Sequence, residues 1–221
     1  MRDFEEIYAI AVDRKGGPDA LEELLITPLT AAQLAATDDD RWLAAMAKCL
    51  FQAGFNWKVI EAKWPDMEAA FDGFATAKVA AYHEGDVDRL LSDKRIVRNG
   101  AKIMAVIENA RFVHNIAGDH GGFGKFIANW PAETHNELLD FIAKQGARLG
   151  SVTGQRMLRQ MGRDGYILSP DVIARLKAEG IVGKPPASKR DLAAIQKAFN
   201  DWMAQSGHCL TQISQILAYS I

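Results

Sequence analysis

The chain has 221 residues, 48% of them hydrophobic and 24% charged, with a formal net charge of −2. That balance suits a soluble globular protein with apolar mass for one large or two modest cores, and it excludes a chain dominated by disorder or by a global attraction to polyanions. No apolar run reaches membrane-spanning length. The opening MRDFEEIYAI carries acids where a secretory leader needs a basic region and an unbroken apolar core, so a cytoplasmic location is expected.

Period-3.6 apolar patterns dominate and strand-like alternation is almost absent, which predicts an all-α fold of about a dozen helices. FEEIYAIAVDR and DALEELL read as short N-terminal helices, and DDRWLAAMAKCLFQAG as a longer one with an aspartate cap. Asn56 can cap NWKVIEAKW, with Pro65 then opening a separate helix, PDMEAAFDGF. TAKVAAY and GDVDRLL are short amphipathic pieces. Asn99 can start NGAKIMAVIENARFVHNIA, with Ile103, Val106, Ile107 and Ala110 as its buried stripe and Lys102 at the surface. GDHGGFG reads as a flexible turn, followed by KFIANW and NELLDFIAKQ. The remainder holds VTGQRMLRQMG, PDVIARLKAEG, KRDLAAIQKAFNDWMAQSG and LTQISQILAYS. Two helical lobes are expected, one from roughly residues 38–130 and one from residues 1–37 plus 131–221.

Helix NELLDFIAKQ, turn GARLGS and helix VTGQRMLRQMG have the layout of a helix–hairpin–helix. Glycines such as Gly146 and Gly150 allow a backbone to approach a phosphate closely, and the free N–H groups opening the next helix favour an anion. Ser151 and Thr153 can add hydroxyl donors and Arg148 a charge. From Phe141 through Arg163 the basic residues Lys144, Arg148, Arg156, Arg159 and Arg163 occur with no acid between them. Taken alone, these features fit a plain αα turn beside a solvated basic face better than a DNA clamp. Downstream, ILSPDV puts Asp171 at the start of a helix, either as a favourable N-terminal acid or as a carboxylate at a cleft.

A glycine hairpin followed by Pro-Asp resembles the helix–hairpin–helix DNA glycosylase superfamily. The middle of the chain is more specific. LFQAGFNWKVI at 50–60 is similar to the Gln-Ala-Gly-Leu-Ser-Trp segment of the 3-methyladenine DNA glycosylase I (Tag) family. The similarity continues through the FDGF, KVAA, EGDVDRLL, IVRNGAKI and ENAR stretches, closely over about residues 37–115 and more loosely through the hairpin. What the resemblance implies is a two-lobed helical glycosylase fold and monofunctional hydrolysis of the N-glycosidic bond of alkylated purines in double-stranded DNA, after base flipping. It places Cys49, Gln52 and Trp57 at the base pocket and Phe55 as a wedge in the vacated gap. The hairpin residues Gly146, Arg148, Gly150, Ser151 and Thr153 would hold the backbone, with Asp171 as the catalytic carboxylate and Glu61 or Asp164 as alternates.

The chain also departs from the family. The family's pocket glutamate falls on Cys49, which leaves another damaged purine, or a catalytically inactive helical DNA-binding protein, as alternatives. The family's zinc is held by cysteine and histidine from both chain ends. Here the N-terminal stretch has neither, GHC at 207–209 alone cannot supply four ligands, and His83, His114, His120, His135 and His208 share no ligand spacing, so no metal or other cofactor is expected. Cys49 and Cys209 form no CxxC pair and read as buried small hydrophobes. A monomer is expected.

Overall fold

Fourteen α-helices and two short 3-10 turns make up the computed structural model, which describes residues 1–221 and contains no strand. In chain order the helices are α1 Phe4–Lys15, α2 Pro18–Glu22, α3 Ala31–Ala35, α4 Asp39–Gln52, α5 Trp57–Ala70, α6 Thr76–Ala80 and α7 Glu84–Ser92. They continue with α8 Gly100–His120, α9 Phe123–Ala128, α10 His135–Gln145, α11 Ser151–Gln160, α12 Pro170–Ala178, α13 Lys189–Ser206 and α14 Leu210–Tyr219. None is long and apolar enough to cross a membrane.

The chain divides into two compact units, one comprising Met1–Leu29, Pro131–Leu138 and Gly162–Ile221, the other Thr30–Trp130 and Leu139–Met161. These boundaries differ from the expected lobes: residues 30–37 and 139–161 belong with the middle of the chain. The reason is packing, since α3 lies against α9 and α11 lies against α4.

In the unit holding both termini, Ile7 and Leu21 meet Tyr166, Phe199, Trp202 and Ile213 in one apolar core. Asp164 accepts hydrogen bonds from the backbone N–H groups of Leu210 (3.2 Å) and Thr211 (2.8 Å), so its carboxylate serves the start of α14.

The other unit is built on α8. Asn99 caps it by accepting from the Lys102 N–H, and Gly121, at φ 71°, ends it in the left-handed conformation that glycine adopts without a Cβ penalty. Ile103, Val106, Ile107 and Ala110 are buried as their spacing predicts. They pack with Leu43, Phe51, Ile60, Met67, Phe71 and Phe74. The GDHGGFG stretch is more ordered than a flexible turn: α8 runs to His120, and α9 begins at Phe123, whose N–H donates to Asp39 at 2.7 Å.

Pro65 does not start a new helix. It lies inside α5, where Ile60 and Met67 are buried on either side of it and Trp64 stacks on Phe74 with ring centroids 5.5 Å apart. Packing on both sides holds one helix across a residue that cannot donate the usual bond to the fourth preceding carbonyl.

Candidate active site

The LFQAGFNW stretch folds as a tight corner between α4 and α5. Helix α4 stops at Gln52, Ala53 turns extended at φ −61° and ψ 114°, and Gly54 takes φ 72°, where a side chain would be strained. Asn56 then caps α5, its side-chain oxygen accepting from the Lys58 N–H at 3.0 Å. The corner leaves two large aromatic side chains half in solvent, Phe55 at 45% and Trp57 at 51% exposure.

Lys102 holds this corner from below. It was expected at the surface, but it is buried, and its Nζ donates to the carbonyl oxygens of Phe51 (3.1 Å) and Ala53 (2.8 Å). A cation at a helix C-terminus satisfies orphan carbonyls and suits the helix dipole. The same ammonium lies 5.1 Å from the centre of the Phe55 ring. Burial, and then the charge of Arg148, holds its pKa below the ordinary lysine value.

Behind the corner, polar side chains of α4, α5 and α11 are interlinked. Gln52 is buried and donates through Nε2 to Glu61 Oε1 at 3.1 Å, while Lys48 Nζ pairs with Glu61 Oε2 at 2.8 Å. Both oxygens of Glu61 are therefore engaged, so it is poorly placed to act as a free carboxylate. The Cys49 thiol donates to Gln160 Oε1 at 3.3 Å. Burial pushes that thiol up to about 11, against the opposing pull of Arg156 and Lys48, so it is a neutral donor at physiological pH. Arg156 lies over the Trp57 ring, 5.5 Å from its centre.

The hairpin works differently from the expectation based on glycine freedom. Neither Gly146 nor Gly150 has a positive φ; Arg148 (φ 58°) and Ser151 (φ 53°) are the left-handed residues. Such a conformation costs a non-glycine residue roughly 1–2 kcal/mol. What compensates is Asn109, fully buried on α8, which accepts from the Ala147 N–H at 2.7 Å and donates to the Ala147 carbonyl at 3.2 Å. Leu149 is buried beneath the turn, whereas Arg148 and Ser151 are exposed and Thr153 and Gly150 half-buried.

The glycines serve close approach instead. A Cβ at Gly146 would stand 2.7 Å from Leu149 Cδ1 and 2.9 Å from the Ile142 carbonyl oxygen, and one at Gly154 would stand 2.4 Å from the Leu149 carbonyl oxygen. Gly146→Ala is therefore expected to cost about 1–3 kcal/mol in a urea unfolding series. At Gly150 a Cβ meets only Ala143 at 3.9 Å. Gly150→Asp should keep the fold and weaken binding to every duplex alike, and a lesion-selective loss in an affinity titration would contradict a backbone-holding role.

Asp171 belongs to the other unit, as the second residue of α12 after Pro170. Ser169 caps that helix by accepting from the Val172 N–H at 3.2 Å. The Asp171 side chain is exposed and enters no hydrogen bond or ion pair. Asp164, as described, is committed to α14. No three of the His, Cys, Asp and Glu side chains converge as metal ligands. His208 instead packs on the rings of Phe4 and Tyr8, at 5.5 and 5.8 Å, so a four-ligand zinc site does not fit the donors present.

A strandless fold carrying a glycine hairpin and an aromatic corner defines an all-helical protein with a helix–hairpin–helix. The methyladenine glycosylase family model matches residues 33–184. The chain belongs to that family. One stretch of 60 residues is 45% identical to DNA-3-methyladenine glycosylase 1 of Escherichia coli K12, spanning 27% of this chain and 32% of that protein's length. The 3-methyladenine DNA glycosylase I of Staphylococcus aureus superposes with a TM-score of 0.51 at 25% identity, covering 62% of this chain and 80% of that one. The 8-oxoguanine DNA glycosylase of Methanocaldococcus jannaschii is similar in fold over 96% of this chain and 89% of its own, with a TM-score of 0.55 at 14% identity.

Proposed function

We propose that the protein is a monofunctional DNA glycosylase that hydrolyses the N-glycosidic bond of alkylated purines such as 3-methyladenine in double-stranded DNA. The observation that carries this reading is the corner at 53–57, where a family member presents Phe55 and Trp57 half in solvent just after the buried Gln52 that ends α4. The bond is out of reach inside a duplex, so the base must leave the stack. Phe55 fills the gap as an apolar wedge and the extruded base stacks on Trp57. A methylated purine bearing positive charge favours the electron-rich indole face. Its departure neutralises it, so it leaves readily and asks for little acid catalysis.

What remains is to stabilise a sugar with oxocarbenium character and to orient water, work for one ionised carboxylate. Asp171 fills that role, because its carboxylate is uncommitted whereas Glu61 and Asp164 are held by other groups. Arg148, Ser151 and Thr153 contact phosphates beside the open backbone of Gly150, on a turn whose close packing Gly146 allows, and orient the duplex without reading sequence. The protein acts as a monomer on one lesion at a time.

A duplex with a single 3-methyladenine analogue tests the reaction class. The expected product is an abasic site that breaks only after alkali. Strand cleavage without alkali would contradict a monofunctional enzyme. An intact strand with every alkylated, deaminated or oxidised purine in a lesion panel would favour a DNA-binding protein without turnover.

A further inference from the structure

The ring that receives the base already has a cation of the protein beside it. Arg156 projects from α11 over Trp57, and it is close enough to Cys49 to oppose the upward push of burial on that thiol. The rest of the neighbourhood does not cancel this charge. Cys49 is neutral, the Glu61 carboxylate is shared between Lys48 and Gln52, and Gln160 is an amide. Counting Lys48 and Arg156 against Glu61, the group carries one net positive charge.

We infer that Arg156 is a specificity-determining residue, lowering the preference of the Trp57 site for cationic damaged bases and so widening its range toward neutral damaged purines. This rests on the glycosylase reading of the site. A base stacked on the free face of the indole lies opposite the guanidinium with the ring between them. A base on the covered face must displace it. In both arrangements a cationic base meets a like charge that a neutral base does not, and Arg156 already draws on the electron density that cation–π attraction uses. At a separation on the order of 9 Å and, because Arg156 is exposed, an effective dielectric of about 25, that repulsion is worth roughly ten-fold in relative affinity.

The test compares wild type with Arg156→Gln and Arg156→Lys by two readouts. The first is the ratio of excision rates for a cationic lesion, 3-methyladenine, and a neutral one, hypoxanthine, each placed in the same duplex. The second is quenching of Trp57 emission by a cationic N-methylated purine nucleoside and by its neutral parent, with Trp57→Phe as the blank. Arg156→Gln is expected to raise the cationic-to-neutral ratio about ten-fold in both readouts, and Arg156→Lys to stay near wild type. An equal loss for both lesions, with no change in the quenching ratio, would mean that Arg156 only holds phosphate and would overturn the inference. Absence of excision by wild type would defeat the glycosylase reading, while the quenching ratio would still decide the role of Arg156.

Discussion

Asp171→Asn is expected to lose about 10²–10³-fold in single-turnover excision while binding a duplex with an abasic site as well as wild type does. Three features of α12 make this substitution clean. Asp171 sits at the second helical position, its side chain is exposed, and the cap is made by Ser169 through the Val172 N–H. The fold therefore loses only the interaction of an acid with a helix N-terminus, about 0.3–1 kcal/mol, which thermal unfolding will register as a small shift. Turnover loses more, because a fixed negative charge beside an oxocarbenium-like sugar acts mainly in the transition state. Affinity for the abasic product should hold or improve slightly, since a negative charge near phosphate has been removed. If Asp171→Asn retains wild-type turnover, the carboxylate lies elsewhere. Glu61→Gln then becomes the informative variant, although Lys48 and Gln52 occupy both oxygens in this structure.

The second large effect falls on Trp57. Removing a base-stacking surface costs about 1–3 kcal/mol, or roughly 5–150-fold, so Trp57→Ala should lose that much in kcat/KM on a 3-methyladenine duplex. Trp57→Phe should recover part of it, because a smaller ring keeps a π face. Stability should change little, since half of the side chain is already in solvent and Asn56 still caps α5. Equal losses on damaged and undamaged duplexes in a binding titration would assign Trp57 to general DNA contact instead of to the base.

Much of the helical plan was legible because helix periodicity and caps are local signals. The stripe Ile103, Val106, Ile107 and Ala110 and the caps Asn56 and Asn99 lie where spacing and side-chain chemistry put them. Pro65 misled, because tertiary packing of Ile60, Trp64 and Met67 overrides a local breaker. The hairpin was visible as a turn, but its mechanics were not. Asn109 acts from a distant helix, and the strained residues proved to be Arg148 and Ser151, not glycines.

Lys102, expected at the surface and found buried, is the most instructive misplacement. Positions 102, 106, 109 and 113 follow one face of α8, and Val106 and Val113 are core residues. Lys102 and Asn109 are thus polar residues inserted in an apolar stripe, and such residues need buried partners. That pattern could have flagged both. Nothing local indicates that the partners are the carbonyls of Phe51 and Ala53, or that Arg156 reaches Trp57, because these contacts join helices far apart in sequence.

Removal of an alkylated purine as a free base is the reaction on which the proposed function stands. Methyl-treated duplex DNA incubated with the purified protein, followed by chromatography of the ethanol-soluble fraction, measures it directly. Release of 3-methyladenine by wild type, with little or none from Asp171→Asn, is the predicted result. No free alkylated base above the protein-free control, from a protein that still binds the duplex, would contradict the account.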